Sequence, residues 1–70
     1  MFRSPVESTA VAALGYDSGA STLEVEFTSG SVYRYFDVPE AEYRELLAAE
    51  SIGEYLNRHI KPKYRYTQVE

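Results

Sequence analysis

The sequence predicts an α+β domain: a three-stranded antiparallel β-meander followed by two α-helices packed on one face, giving two layers. Three observations predict it. Leu23, Val25 and Phe27 alternate with Thr22, Glu24 and Glu26, a period of two with one wet face. Thr28-Ser29-Gly30 then supplies a turn, followed by a second aromatic arm, Tyr33-Arg34-Tyr35. After Pro39 the period changes: Tyr43, Leu46 and Leu47 are spaced i, i+3, i+4, and Ile52, Tyr55, Leu56 and Ile60 share one helical side.

Residues 1–7, with Pro5 near their middle, read as a loose N-terminal arm. The run TAVAALGY from Thr9 to Tyr16 is ambiguous by periodicity, but Gly15 and the loop signal Asp17-Ser18-Gly19 favour a short strand. That strand would set Ala12, Leu14 and Tyr16 on one face and form an exposed edge. The register of the following hairpin turns on Gly30. A two-residue turn would force Ser29 to positive φ, whereas a three-residue loop needs positive φ only at the glycine. The longer loop places Phe27 opposite Ser31, Val25 opposite Tyr33, Leu23 opposite Tyr35, and Glu24 opposite Arg34. It joins like to like and creates a cross-strand ion pair, so it is the predicted register. Asp37-Val38-Pro39 ends the third strand. Pro39 is expected at the first helical position, with Glu40 and Glu42 at the positive end of the helix dipole. This helix fades at Ala49-Glu50. Ser51-Ile52-Gly53-Glu54 reads as a capping box for the second helix, which Lys61-Pro62 stops. Residues 62–70 read as an extended basic and aromatic tail. Val32 and Phe36 fall on the outer sheet face and are apolar for a wet surface.

Composition narrows the function classes. Seventy residues, 44% of them hydrophobic, make one domain spanning 1–70. A chain of this length buries only about 60% of its unfolded surface, and the absence of cysteine removes both a disulfide staple and a thiolate zinc site. Met-Phe-Arg-Ser-Pro-Val is not the apolar run of a signal peptide, and no segment approaches the ~18 apolar residues of a membrane span; a cytoplasmic protein without membrane contact is expected. His59 is the only histidine. The Glu50/Glu54 and Glu54/Arg58 spacings are those of solvated helix faces, and there is no nucleophile elbow or glycine-rich phosphate loop. No catalytic residue, no metal and no cofactor is expected. A structure lacking a hollow beside His59 would remove an enzyme altogether.

The net charge of −4 is unevenly spread. Residues 57–66 hold Arg58, Lys61, Lys63 and Arg65 and no acid, whereas all eleven acids lie elsewhere. Tyr-Arg-Tyr occurs twice, at 33–35 and 64–66. Aromatics on a sheet can stack bases, and arginine can bind phosphate. Tyr33 and Tyr35 share a face with Leu23, Val25 and Phe27 and are expected to be core, so Tyr33→Ala should cost roughly 3 kcal/mol. The candidate nucleic-acid-binding residues are therefore Arg58, Lys61, Lys63, Tyr64, Arg65 and Tyr66. The expected function is a small non-enzymatic binding module contacting RNA through this stretch. The alternative is a protein-interaction adaptor or regulator of a larger nucleic-acid enzyme, docking through Val32 and Phe36 or the first strand's edge. A monomer or weak homodimer is expected.

From about Val6 to Tyr66 the chain resembles the KTSC domain family, a short domain named for its occurrence at the C-terminus of some lysyl-tRNA synthetases and also found as a stand-alone small protein. The resemblance rests on Gly15-Tyr16-Asp17, the alternating Leu23, Val25 and Phe27, and Gly30. It continues through Tyr33-Arg34-Tyr35 as the central Tyr-x-Tyr, Val38-Pro39, Ala49 with Ser51 and Gly53, and Asn57, Ile60 and Lys61. It implies Tyr33 and Tyr35 as the family's motif residues, and the synthetase association implies RNA contact.

Overall fold

The computed structural model describes residues 3–6 and 8–70. In chain order the elements are β1 (Ser4–Pro5), β2 (Val11–Asp17), β3 (Thr22–Phe27), β4 (Val32–Tyr35), α1 (Glu40–Ala48), α2 (Ile52–Tyr55) and β5 (Tyr66–Gln68). Helix α2 runs directly into a π-helical turn at Leu56–Ile60. The strands form one antiparallel sheet in sequential order.

The α+β class with two helices follows the sequence, but the sheet has five strands rather than three. Ser4–Pro5 pairs with Ala13 and Leu14 where the sequence reads as a loose arm. Met1, Phe2 and Glu7 of that arm lie outside the described residues. Tyr66–Gln68, in the extended tail, pairs with Tyr33–Tyr35. Elements of two and three residues are too short to show a period; what makes them strands is remote backbone pairing. The Val6 N–H donates to the Ala12 carbonyl at 3.2 Å, Phe36 to Arg65 at 2.8 Å, and Val69 to Val32 at 2.7 Å. Consequently β2 is flanked by β1 and β3 and is not an edge strand.

The central hairpin takes the three-residue-loop register, with Leu23 opposite Tyr35, Glu24 opposite Arg34 and Val25 opposite Tyr33. The Phe27 N–H donates to the Ser31 carbonyl at 2.9 Å, and Gly30 has φ of +97°, the left-handed conformation that the turn requires. Arg34 Nε lies 2.9 Å from Glu24 Oε1. In β2 one face differs from expectation. Val11 opposes Phe27 while Ala13 opposes Glu26, so Ala12 is an extra residue in a bulge. The bulge puts Val11, not Ala12, in the core with Leu14 and half-buried Tyr16.

The helices cover the face bearing Leu23, Val25 and Tyr35, packing Leu46, Ile52, Leu56 and Ile60 onto it. Pro39 is the N-cap, not the first helical residue: its ψ of 149° is extended, and its carbonyl accepts from the N–H groups of Glu42 and Tyr43. Leu46 is fully buried, but Leu47 is 46% exposed. Tyr43 stacks on Tyr16 at 4.9 Å, so the buried stripe runs through Tyr43 and Leu46 and leaves Leu47 outside it. The Ser51 hydroxyl accepts from the Glu54 N–H at 3.2 Å, which is the N-cap half of the expected capping box; the Glu54 carboxylate turns to Arg58 in place of the Ser51 N–H. In the π-helical turn the Lys61 N–H reaches the Leu56 carbonyl at 2.8 Å. On the outer face, Val32 is only 2% exposed and its backbone is bonded to Val69 and Glu70, so it is not a surface patch.

Candidate nucleic-acid interface

The helical cover ends at Ile60, but the apolar sheet face runs on toward the hairpin loop. Phe27 and Tyr33 continue it, and β5 adds Tyr66 beside them. The result is a groove of about 410 Å³ lined by Phe27, Ser29, Ser31, Tyr33, Tyr35, Lys61 and Tyr66. Its rings pack against one another. Phe27 meets Tyr33 edge-on at 5.5 Å, and Tyr66 lies 5.6 Å from Tyr33 and 5.7 Å from Tyr35. Tyr35 forms the floor at 2% exposure, and Tyr33 is a half-buried wall. Burial, with the nearby Tyr33 and Tyr66 hydroxyls, pushes the Tyr35 phenol up to about 12. Lys61 follows the π-helical turn directly, and its ammonium lies 5.3 Å from the centre of the Phe27 ring.

A second hollow of about 520 Å³ adjoins the first through Tyr66, lined by Phe36, Pro62, Lys63, Tyr64, Arg65 and Tyr66. Here the Arg65 guanidinium lies 5.8 Å from the Phe36 ring centre. Neither lining contains a carboxylate. In a chain of net charge −4 these adjoining hollows thus have a locally positive lining.

The six candidate residues do not form one free patch. Arg58 pairs with Glu54 at 3.2 Å one helical turn away. Lys63 reaches Glu42 at 3.4 Å, and the Tyr64 hydroxyl donates to the same carboxylate at 2.9 Å. The Tyr55 hydroxyl also donates to Glu42, and to Glu45 at 2.9 Å. Burial works against ionisation of Glu42, but the hydrogen bonds from Tyr55, Tyr64 and Lys63 outweigh it and hold the carboxyl below its ordinary range. Glu42 therefore clamps the segment after the second helix onto α1. Arg65 pairs with Asp37 at 3.4 Å, but both side chains are more than 80% exposed, so that pair exchanges with solvent at little cost. Lys61 and Tyr66 are the two candidates that face the groove. Arg58 lies apart from it.

The sequence reading missed Phe27, Ser29 and Ser31 as site residues. The signal for Phe27 was present, since the predicted register stacks it beside Tyr33; what was lacking was where the helical cover ends. A hollow of about 330 Å³ does lie beside His59, lined also by Glu50, Glu54, Tyr55 and Arg58. Within it Glu54 pairs with Arg58, while the Tyr55 hydroxyl is drawn out of it to Glu42 and Glu45, so the condition set by the sequence for removing an enzyme, no hollow beside His59, is not met. Among the described residues no group of three or more His, Cys, Asp or Glu is placed to hold a metal ion, and no helix is long and apolar enough to cross a membrane.

The KTSC domain family model matches residues 7–64. A protein of Tsukamurella paurometabola is 46% identical over 61 residues, covering 87% of this chain and 91% of that one. A lysine–tRNA ligase of Trichormus variabilis is 48% identical over 54 residues, covering 77% of this chain but 10% of the ligase. The crystal structure of a KTSC domain protein from Yersinia pestis superposes with a TM-score of 0.95 at 30% identity, covering 99% of this chain and 97% of that one.

Proposed function

This chain belongs to the KTSC domain family, and we propose that it is a small binding module, without catalysis of its own, that contacts single-stranded RNA through the stretch from Lys61 to Tyr66. The observation that carries this reading is the pair of acid-free hollows meeting at Tyr66, each with a cation beside an aromatic ring. Single-strand binders combine these two elements, stacked bases and a cationic track for the backbone. The relative that is a lysine–tRNA ligase handles an RNA by its name, which supports the same partner class. Glu42 and Asp37 pair with Lys63 and Arg65, so the cations open to a phosphate are Lys61, which pairs with no carboxylate among the described residues, and Arg65, whose pair is solvent-exposed and exchanges readily. Of the surface named for the adaptor alternative, Val32 is buried and Phe36 stays half-exposed at the second hollow.

The test is titration of single-stranded RNA and tRNA at several salt concentrations with micromolar protein. Binding that weakens linearly in log salt is expected. No binding at low salt, where such contacts are strongest, would refute the reading. Pull-down from lysate with and without nuclease separates the alternatives: partners lost on nuclease treatment favour RNA, and partners retained favour the adaptor.

A further inference from the structure

We infer that the groove bounded by Phe27, Tyr33 and Tyr66 takes one unstacked nucleotide, its base laid on the exposed Tyr66 ring and its phosphate on the Lys61 ammonium beside the Ser29 and Ser31 hydroxyls. This assignment rests on the RNA-binding reading and adds to it a subsite and a unit of recognition.

The geometry points to a nucleotide by its mixture of surfaces. The groove volume of about 410 Å³ falls in the range of small-molecule sites and holds one flat ligand, not a helix. Its walls are aromatic, its one charge is positive, and its remaining polar groups are hydroxyls able to donate to a phosphate oxygen. Tyr66 is 58% exposed, the most open aromatic ring of the groove, while Tyr33 and Tyr35 hold it from the side. Lys61 pairs with no carboxylate among the described residues. Its ammonium rests by the Phe27 ring, a contact that an incoming phosphate replaces with a stronger one. A base within a duplex has both faces stacked and has none to offer Tyr66, so the occupant is a single-stranded or terminal nucleotide.

The experiment is an NMR titration of the full chain with adenosine 5′-monophosphate, adenosine and a short oligoadenylate, repeated on Tyr66→Ala, Tyr66→Phe and Lys61→Gln. Both positions are exposed, so the variants keep the fold, which their amide spectra verify. The monophosphate should shift the amides of Ser29, Ser31, Tyr33, Lys61 and Tyr66, and adenosine should bind more weakly for lack of the phosphate. Tyr66→Ala should lose roughly 5- to 150-fold of oligoadenylate affinity, and Tyr66→Phe should retain it within about twofold. Lys61→Gln should lower the log–log salt slope by about 0.7. If the oligoadenylate binds but Tyr66→Ala and Lys61→Gln bind as tightly as the parent, the subsite is wrong and the RNA reading stands. If no oligonucleotide or tRNA binds at low salt, both fall. A nuclease-resistant protein partner lost specifically in Tyr66→Ala would give the groove to protein and overturn the nucleotide assignment.

Discussion

Replacing Tyr33 and Tyr35 by alanine, one at a time, tests whether one strand of the sheet serves both the core and the groove. Tyr35 is 2% exposed and is the largest of the fully buried side chains. Its truncation leaves a cavity beneath the helices, and aromatic-to-alanine changes of that kind cost about 3–5 kcal/mol. A domain of seventy residues has a total stability of roughly 3–10 kcal/mol, so Tyr35→Ala should lose between about a third and all of it. Tyr33 is half-buried and forms a groove wall. Its removal forfeits part of its buried area and two ring contacts, to Phe27 and Tyr66, each worth about 0.5–1.5 kcal/mol beyond area. The two contacts give about 1–3 kcal/mol and the lost burial adds about 1 kcal/mol, so a loss of roughly 2–4 kcal/mol follows, which brackets the roughly 3 kcal/mol expected from the sequence pattern. Urea melts followed by circular dichroism give both values, provided the slope is unchanged between variants. Tyr35→Phe keeps the ring and should lose at most about 1.5 kcal/mol. A Tyr33→Ala loss above about 4 kcal/mol, as large as that of Tyr35→Ala, would mean that Tyr33 is core and the groove does not open beside it. A loss below about 0.5 kcal/mol for Tyr33→Ala would mean that its ring contacts are not held in solution.

Other perturbations have equally definite outcomes. Because the Tyr35 phenol is raised from 10 to about 12 in the folded state, the stability it contributes is complete below pH 10 and is lost as pH rises toward 12; Tyr35→Phe should flatten that alkaline limb in melting temperatures measured against pH. Glu42 has the opposite sign: its folded pKa is depressed, so its contribution is present above the ordinary carboxylate value and disappears as pH falls through the folded one. Glu42→Gln should cost about 2 kcal/mol at neutral pH in denaturant melts, with an acid limb less steep than that of the parent. Gly30→Ala places a side chain at φ of +97° and should destabilise by about 1–2 kcal/mol, although no neighbour obstructs the added carbon; an unchanged melt would show that the loop adopts another turn.

The parts of the fold legible in the sequence are those where local chemistry and pattern agree. Gly30 chose the loop, the loop chose the register, and the register brought Glu24 to Arg34. Likewise Ser51 with Glu54 marked the second helix, and its side chain caps it. The illegible parts depend on distant partners. Ser4–Pro5 is a strand because β2 offers it backbone groups, and Tyr66–Gln68 because β4 does. The bulge at Ala12 leaves no trace in an alanine-rich run, yet it exchanges Ala12 for Val11 in the core. The site follows the same division. Lys61 and Tyr66 stand out as a cation and an aromatic in a basic stretch, but their convergence on Phe27 depends on where the second helix stops. A π-helical turn sets that point, and such turns recur at functional sites.

The repeated Tyr-Arg-Tyr invites one role for both copies, and the register argues for two. Tyr35 faces Tyr66 across the ladder, but Arg34 faces Thr67, so the copies are offset and not superimposed. In the first copy both tyrosines point to the covered face and the arginine points away, where it neutralises a Glu24 only 4% exposed. In the second copy the three residues separate. Tyr64 is tied down at Glu42, Arg65 stays in solvent beside Phe36, and Tyr66 returns to the sheet and completes the groove. The clamp and the groove are thus consecutive along the chain: Glu42 holds residues 63 and 64, and residue 66 pairs two positions later. Loss of the clamp should therefore weaken binding as well as stability. In Glu42→Gln, oligoadenylate affinity should fall even where the protein remains folded, because Tyr66, the ring proposed to receive the base, is no longer held at the β4 edge. Affinity unchanged in a folded Glu42→Gln variant would show that strand pairing alone positions Tyr66 and that the clamp serves stability only.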